Sequence, residues 1–194
     1  MTAWIIIPVR PFGEGKSRLA DVLPPAERTA LNRRMFAHVL GVATEVAAPE
    51  NVVVVTRSAE VRDMAGSAGA GFVDERASSL NAALAQASDH ARKRGASAVL
   101  SLSTDLPALT ADDVRTLLDA AEDLPVCVIA PDHAGLGTNA LLLSPPSAIP
   151  YLYGDGSAAA HRRAAETAGL RVAIVRRPGL ARDIDTEQDY RAFT

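Results

Sequence analysis

The sequence predicts an α/β fold with a mainly parallel central sheet and helices on both faces. Along the 194 residues, short runs rich in valine and isoleucine alternate with longer segments of helical periodicity, which is the order of βαβ units. Several of these runs are apolar throughout, as in parallel strands that are covered on both sides. The length suits one domain, residues 1–194, with a sizeable core.

The strand candidates are short apolar runs that are bounded by polar or glycine-containing segments. In chain order they are residues 4–8, 51–56, 71–73, 98–102, 126–130, 139–143 and 170–175. The fifth and sixth runs have no helical segment between them, so we expect an antiparallel excursion at that point.

The helix candidates lie between these runs and carry recognisable ends. They are residues 25–47, 59–68, 79–94, 110–121 and 157–168, with a last short helix starting near 186–189. In the first helix, apolar residues recur at helical spacing, namely Leu31, Met35, Val39 and Val42. Thr110 with Asp113 resembles a capping box, and Ser157 suits a helix start.

Composition excludes several classes of protein. The net charge of −3 argues against a general nucleic-acid binder, and aromatic residues are only 4% of the chain. The single cysteine, Cys127, lies in an apolar run, which favours a core residue over a nucleophile and rules out an intramolecular disulfide. No apolar run has membrane-spanning length and no signal peptide is evident, so we expect a cytoplasmic protein without a membrane partner.

The segment that follows the first strand is rich in glycine and cations. Residues 8–19 read PVRPFGEGKSRL, a composition that suits the binding of a polyphosphate at a strand end. The P-loop pattern requires glycine where Arg10 stands, and the dinucleotide fingerprint requires glycine where Arg18 stands. The loop therefore indicates nucleotide phosphates held by neither of these two architectures.

Carboxylates follow two of the other predicted strands. Asp105 comes after the fourth strand, and Asp183 and Asp185 come after the last one. Ligands of open α/β sheets bind beyond the carboxyl ends of the strands, and Mg²⁺ prefers carboxylate oxygens. The alternatives are a turn residue for Asp105, and a solvated loop in which Asp185 or Thr186 caps the final helix.

Three further segments have both a ligand-binding and a structural interpretation. Gly137 and Thr138 suit close approach of a ligand or a hairpin turn, at about equal weight. Gly154 to Ser157 form either an anion site at a helix start or a plain cap. Asn81 suits either a base edge or ribose, or a first-turn helix residue, whereas His161 is expected to be a surface or structural histidine.

Short motifs follow one another in a specific order along essentially the whole chain. They are Ile7-Pro8-Val9-Arg10-Pro11, Lys16-Ser17-Arg18-Leu19, Val54-Val55-Thr56, Leu80-Asn81-Ala82-Ala83-Leu84, Asp105-Leu106-Pro107, Gly137-Thr138-Asn139-Ala140-Leu141, Gly154, Gly156-Ser157, Pro178-Gly179-Leu180 and Asp183-Ile184-Asp185-Thr186. Together they closely resemble the guanylyltransferases of coenzyme F420 biosynthesis, which use 2-phospho-L-lactate, phosphoenolpyruvate or 3-phospho-D-glycerate.

This resemblance implies a Rossmann-like nucleotidyltransferase fold of the GT-A type, with GTP as donor and a phosphorylated C3 acid as acceptor. It implies Mg²⁺ on Asp105, Asp183 and Asp185. It also implies that Lys16 belongs to a phosphate-binding loop and that Thr138, Gly154 and Ser157 hold the acceptor. We further expect Arg10, Arg18 and Asn81 to form the GTP site together with Lys16. Lys16 and Asp105 are the expected catalytic residues, and Arg10 stands where many relatives are expected to carry lysine, which keeps the charge but changes its geometry.

The mechanism that follows is attack by the acceptor's phosphate on the α-phosphorus of GTP, with release of pyrophosphate. That phosphate is largely ionised at neutral pH, so no general base is needed. The alternatives are another GT-A nucleotidyltransferase, of the molybdenum-cofactor or sugar type, and a non-catalytic GTP-binding module. A homodimer is left open.

Overall fold

A seven-stranded sheet forms the centre of the protein. The computed structural model describes residues 2–76, 79–121 and 125–193. The strands are β1 (Ala3–Pro8), β2 (Val52–Thr56), β3 (Gly71–Asp74), β4 (Ala98–Leu102), β5 (Val126–Pro131), β6 (Thr138–Ser144) and β7 (Arg171–Ile174). Their order across the sheet is β3-β2-β1-β4-β6-β5-β7. Strand β6 is antiparallel to both neighbours while the other pairings are parallel, which confirms the predicted excursion.

Helices cover both faces of the sheet, as predicted. They are α1 (Pro25–Val46), α2 (Ala59–Ser67), α3 (Leu80–Lys93), α4 (Ala111–Asp119), α5 (Ser157–Thr167), α6 (Pro178–Ala181) and α7 (Glu187–Phe193). Alternate residues of each strand feed two separate cores. Ile5 and Ile7 pack with α1, α2, α4 and α6, whereas Trp4 and Ile6 pack with α3 and α5.

Strand direction decides which residues meet at the carboxyl edge of the sheet. The parallel strands β1, β2 and β4 end there, and the antiparallel β6 begins there, so Thr138 and Asn139 lie beside the residues that follow β4. The backbone N–H of Ser103 donates to the carbonyl oxygen of Asn139 at 3.0 Å. The edge therefore combines the ends of three strands with the beginning of a fourth.

Some details differ from the sequence prediction. The α6 turn, Pro178–Ala181, was not predicted, since proline and glycine dominate its composition. The capping box of Thr110 and Asp113 is present, and Thr186 caps α7 through Asp189. Within residues 2–76, 79–121 and 125–193, no helix is both long and apolar enough to cross a membrane.

Candidate active site

The loop after β1 is folded tightly against helix α1. It contains two short 3₁₀ turns, Phe12–Glu14 and Ser17–Leu19. The side-chain amide of Asn32 donates to the carbonyl oxygen of Phe12 at 2.7 Å. A Cβ on Gly15 would lie only 2.7 Å from that amide nitrogen, so the close approach requires glycine.

This loop delivers Lys16 to the acidic residues. The Lys16 backbone is left-handed, with φ 58°, and its side chain is 7% exposed. Its ammonium nitrogen lies 2.7 Å from Asp105 Oδ2 and 3.0 Å from Asp185 Oδ1. Burial lowers the pKa of Lys16, but the two carboxylates outweigh that effect and the net pKa is raised, so Lys16 is a fixed cation at neutral pH.

The three predicted metal ligands converge. Asp105, Asp183 and Asp185 each place a carboxylate oxygen within 4.8 Å of the others. The backbone N–H of Ile184 donates to the Asp105 carbonyl oxygen at 3.2 Å, which ties the two acidic segments together. Burial, and next the negative charges of Asp105 and Asp185, raise the pKa of Asp183. This set of clustered carboxylates fits Mg²⁺, which binds through hard oxygen ligands.

Asn139 supports the acidic cluster from strand β6, a role that the sequence did not predict. Its buried amide nitrogen lies 2.9 Å from the Leu180 carbonyl oxygen and 3.5 Å from Asp183 Oδ1. The amide thereby links β6 to α6 and to the segment that carries Asp183. The sequence shows that Asn139 directly follows Thr138, but the hydrogen-bond partners of Asn139 are more than 40 residues away along the chain.

A cleft of about 630 Å³ opens beside the cluster, and its lining includes Lys16, Asp105 and Asp185. This volume is in the range of small-molecule sites. Arg10 is exposed and lines the cleft, whereas Arg18 is 74% exposed and lies 3.8 Å from Asp185. The structure therefore places all three predicted phosphate-binding cations around one region.

The lining of the same cleft includes a second charged group. Arg57, after β2, forms ion pairs with Glu14 and, at 3.3 Å, with Glu75 after β3. The side chain of Glu75 is nearly buried. Val9 and Leu80 contribute apolar surface to the lining of the same cleft. The cleft lining therefore combines charged groups with apolar surface.

Asn81 has a structural partner. Its amide oxygen accepts from the Tyr153 backbone N–H at 2.8 Å, and its amide nitrogen donates to the Tyr153 carbonyl oxygen at 3.1 Å. The cleft is lined by its helix neighbours Ser79, Leu80 and Ala83. The structure supports the first-turn helix alternative, and contact of Asn81 with GTP stays a prediction.

The predicted acceptor residues lie around the start of α5. Gly154 and Gly156 have positive φ values, 139° and 68°, and lead into Ser157, the first residue of the helix. The Ala158 N–H donates to the Leu136 carbonyl oxygen at 3.0 Å, which joins the helix to the hairpin that carries Thr138. The side chains of Thr138 and Ser157 are both buried.

The segment before Thr138 is also a hairpin turn. Asp132 accepts from the backbone N–H groups of Leu136 and Gly137 at 2.9 and 3.0 Å. A Cβ on Gly137 would lie 2.8 Å from Asp132 Oδ2, so this glycine permits the turn. The hairpin alternative is confirmed, and the turn places Thr138 at the edge of the sheet.

Two other side chains agree with their predicted roles. Cys127 is fully buried, and burial raises the pKa of its thiol to about 12, so it is a core residue. His161 is fully buried too, which makes it structural and not a surface residue. It contacts Thr138, a neighbour that the sequence did not suggest.

Fold and site together define a nucleotidyltransferase: a carboxylate cluster and a cationic loop meet at the carboxyl edge of a Rossmann-like sheet. The same fold is found in a protein from Desulfovibrio desulfuricans that is described as a nucleotide-diphospho-sugar transferase, with a TM-score of 0.81 at 17% identity over 99% of this chain and 86% of that one. The chain belongs to the CofC-like guanylyl transferase family, whose model matches residues 3–193.

Relatives in this family are similar over nearly their full length. A phosphoenolpyruvate guanylyltransferase from Rubrobacter xylanophilus is 39% identical, over 97% of this chain and 92% of the relative. A 3-phospho-D-glycerate guanylyltransferase from Colwellia psychrerythraea is 32% identical, over 95% of this chain and 88% of the relative. The chain is thus an enzyme of the nucleotidyltransferase class, and the predicted family is confirmed.

Proposed function

We propose that this protein transfers GMP from GTP to the phosphate of phosphoenolpyruvate in coenzyme F420 biosynthesis. The observation that carries the proposal is the cluster of Lys16, Asp105, Asp183 and Asp185 beside a cleft of about 630 Å³. Phosphoenolpyruvate is the first choice of acceptor because several relatives at 37–39% identity carry that name. 3-Phospho-D-glycerate and 2-phospho-L-lactate are the other acceptors of the same chemical class.

In the proposed reaction, a phosphate oxygen of the acceptor forms a bond to the α-phosphorus of GTP. The bond between that phosphorus and the oxygen bridging to the β-phosphate breaks, and pyrophosphate leaves with the electron pair. The product is a mixed diphosphate of GMP and the acceptor. The attacking phosphate has a second pKa of about 6, so it is already ionised and needs no base. Positioning and charge neutralisation then supply the catalysis.

The donor site is proposed to lie along the cleft. Lys16, Arg10 and Arg18 bind the triphosphate, with Lys16 neutralising charge nearest the carboxylates. Asp105, Asp183 and Asp185 would hold Mg²⁺, which when bound neutralises phosphate charge and aligns the reacting groups. Glu75, which lines the cleft, is proposed to bind the guanine ring, since a carboxylate accepts from the N–H groups of guanine.

The acceptor site is proposed to lie at the start of α5. The positive end of the helix dipole attracts anions to a helix N-terminus. Gly154 keeps the approach to that helix open, and the hydroxyls of Ser157 and Thr138 orient the phospho-acid. This site and the donor cleft adjoin the same sheet edge, and we propose that the acceptor phosphate meets the α-phosphorus of GTP there.

The direct test is incubation of the purified protein with GTP, Mg²⁺ and each of the three acceptors. Pyrophosphate is measured by a coupled assay and the guanylylated product by mass. We expect turnover with phosphoenolpyruvate and much weaker activity with ATP. The proposal is rejected if none of the three acceptors yields product, and GTP binding without turnover would favour the non-catalytic module.

A matched pair of variants separates the metal site from general effects of charge. Asp105→Asn is expected to abolish Mg²⁺-dependent pyrophosphate release while the fold persists. Asp112→Asn is the control, because Asp112 lies on α4 with a side chain that is 76% exposed. Full activity of Asp105→Asn would rule out the assigned role. Residues 1–194 are proposed to act as one domain, and cytoplasmic location and a homodimer stay predictions.

A further inference from the structure

A buried hydrogen-bonded chain connects the loop before α5 to the predicted acceptor site. His161 is fully buried on α5, and its Nε2 lies 2.9 Å from the backbone nitrogen of Leu152. The other ring nitrogen, Nδ1, lies 3.1 Å from Oγ1 of Thr138. The imidazole therefore bridges a backbone amide and the hydroxyl of a site residue.

The contact with Leu152 determines which ring nitrogen of His161 carries the proton. A backbone N–H can only donate, so Nε2 of His161 accepts and carries no proton. Burial lowers the pKa of His161 to about 4, so the ring is neutral at physiological pH. The single ring proton is then on Nδ1. Nδ1–H donates to Thr138 Oγ1, and the hydroxyl hydrogen of Thr138 is left for a different acceptor.

The ring orientation is fixed by packing. His161 makes an edge-on contact with the ring of Tyr153, with the centroids 5.1 Å apart. The hydroxyl of Tyr153 is in turn hydrogen-bonded to Ser101 at 2.7 Å. One helical turn before His161 lies Ser157, so both residues share a face of α5 at the hairpin that carries Thr138. The Nδ1–H group of His161 cannot rotate away from Thr138 unless the hydrogen bond from Leu152 to Nε2 is broken.

We propose that His161 is a positioning residue that fixes the Thr138 hydroxyl as a hydrogen-bond donor to an anionic oxygen of the phosphorylated C3 acid. This role rests on the proposed function, in which Thr138 binds the acceptor. A hydroxyl that already accepts from a neutral ring is polarised, and it donates more strongly to an anion. His161 acts through Thr138 and does not touch the acceptor.

The test uses two amides that each replace one ring nitrogen. In His161→Asn the amide nitrogen falls near the position of Nδ1 and keeps the donor to Thr138. In His161→Gln the amide falls near the position of Nε2, so the Leu152 contact is kept and the donor to Thr138 is lost. We expect His161→Gln to raise the acceptor KM about tenfold or more, and His161→Asn about threefold or less. The KM for GTP should stay within about twofold for both.

Thr138 variants complete the cycle. Thr138→Val should raise the acceptor KM to a similar extent, and adding His161→Gln should bring no further rise, because both remove the same interaction. Thr138→Ser keeps a hydroxyl at this position and should raise the acceptor KM less than Thr138→Val does. This series is informative even where a His161 variant fails to fold.

A spectroscopic readout is independent of activity. In ¹⁵N NMR spectra of histidine-labelled wild-type protein, with His161→Gln used for assignment, His161 should show the Nδ1–H tautomer and no titration between pH 5 and 8. An Nε2–H tautomer overturns the proposed role whatever the rates. Equal increases of the acceptor KM in the Asn and Gln variants, or a matching rise in the GTP KM, also overturn it and leave His161 a purely structural role. Absence of wild-type turnover with all three acceptors instead rejects the proposed function and the positioning role with it.

Discussion

Replacing Lys16 by methionine tests whether the cluster of carboxylates depends on an internal cation. Removing one partner of a buried ion pair costs about 3–5 kcal/mol, since the remaining charge stays desolvated. Here Asp105 and Asp185 are 22% and 47% exposed, so water screens part of that cost. We expect Lys16→Met to lower the free energy of unfolding by about 2 kcal/mol. This corresponds to a drop in Tm of about 4–8 °C.

The pH range in which Lys16 stabilises the folded protein follows from its raised pKa. Its folded-state pKa lies above 10.5, so its stabilising contribution is fully present below that pH and is lost as the pH rises through the folded value. The measurement is urea unfolding at pH 7.5 without divalent ions. The control is Arg18→Met, because Arg18 is 74% exposed and 3.8 Å from Asp185. This variant should stay within about 0.5 kcal/mol of wild type.

Mg²⁺ provides a second arm of the experiment. Asp105 and Asp185 lose their counter-ion in Lys16→Met, so millimolar Mg²⁺ should stabilise that variant more than it stabilises the wild type. The assigned role of the Lys16 ammonium group would be refuted by an unchanged urea midpoint of Lys16→Met. Equal decreases in the free energy of unfolding of the Lys16 and Arg18 variants would refute it as well.

The remaining predictions concern three other positions. Gly179→Ala should lower the free energy of unfolding, measured with urea, by about 1–3 kcal/mol. The new Cβ would lie 2.5 Å from the Ala108 carbonyl oxygen and closer still to Asp113. An unchanged urea midpoint would contradict this prediction. Asp183→Asn should raise the Tm at pH 7 while removing Mg²⁺-dependent turnover, because the raised pKa of Asp183 means that its charged form destabilises the folded state at that pH. A lower Tm would oppose this. His161 has a pKa of about 4 in the folded state and about 6.5 in the unfolded state, so between these pH values only the unfolded state binds the proton. From pH 7 to 5, the free energy of unfolding of the wild type should therefore fall by about 2 kcal/mol more than that of His161→Gln. Equal decreases in the two proteins would argue against a neutral buried ring.

Much of the architecture was predictable because local patterns carry it. Buried strands such as Val52–Thr56 are runs of β-branched residues, and helix starts such as Thr110 carry caps that operate within four residues. The antiparallel β6 was predictable as well, because no helical segment separates it from β5. These features depend on neighbours in sequence.

The contacts inside the site were less predictable because they join distant segments. The Lys16 ammonium meets Asp105 and Asp185, 89 and 169 residues further along. The composition of residues 8–19 identified a cationic loop, but it gave no indication that Lys16 would pair with the carboxylates. His161 and Asn139 carry no local pattern that reveals their partners, which only the sheet order and the α5 packing bring together.

The distance in sequence between Lys16 and Asp185 has a consequence during synthesis. A ribosome releases Lys16 and Asp105 long before Asp183 and Asp185, so a nascent chain that lacks the last of these has an incomplete cluster. Domains generally fold as the chain emerges, and the first strands and helices can pack before that point. Under the proposed function, GTP with Mg²⁺ would stabilise only chains whose acidic segment has joined the sheet edge.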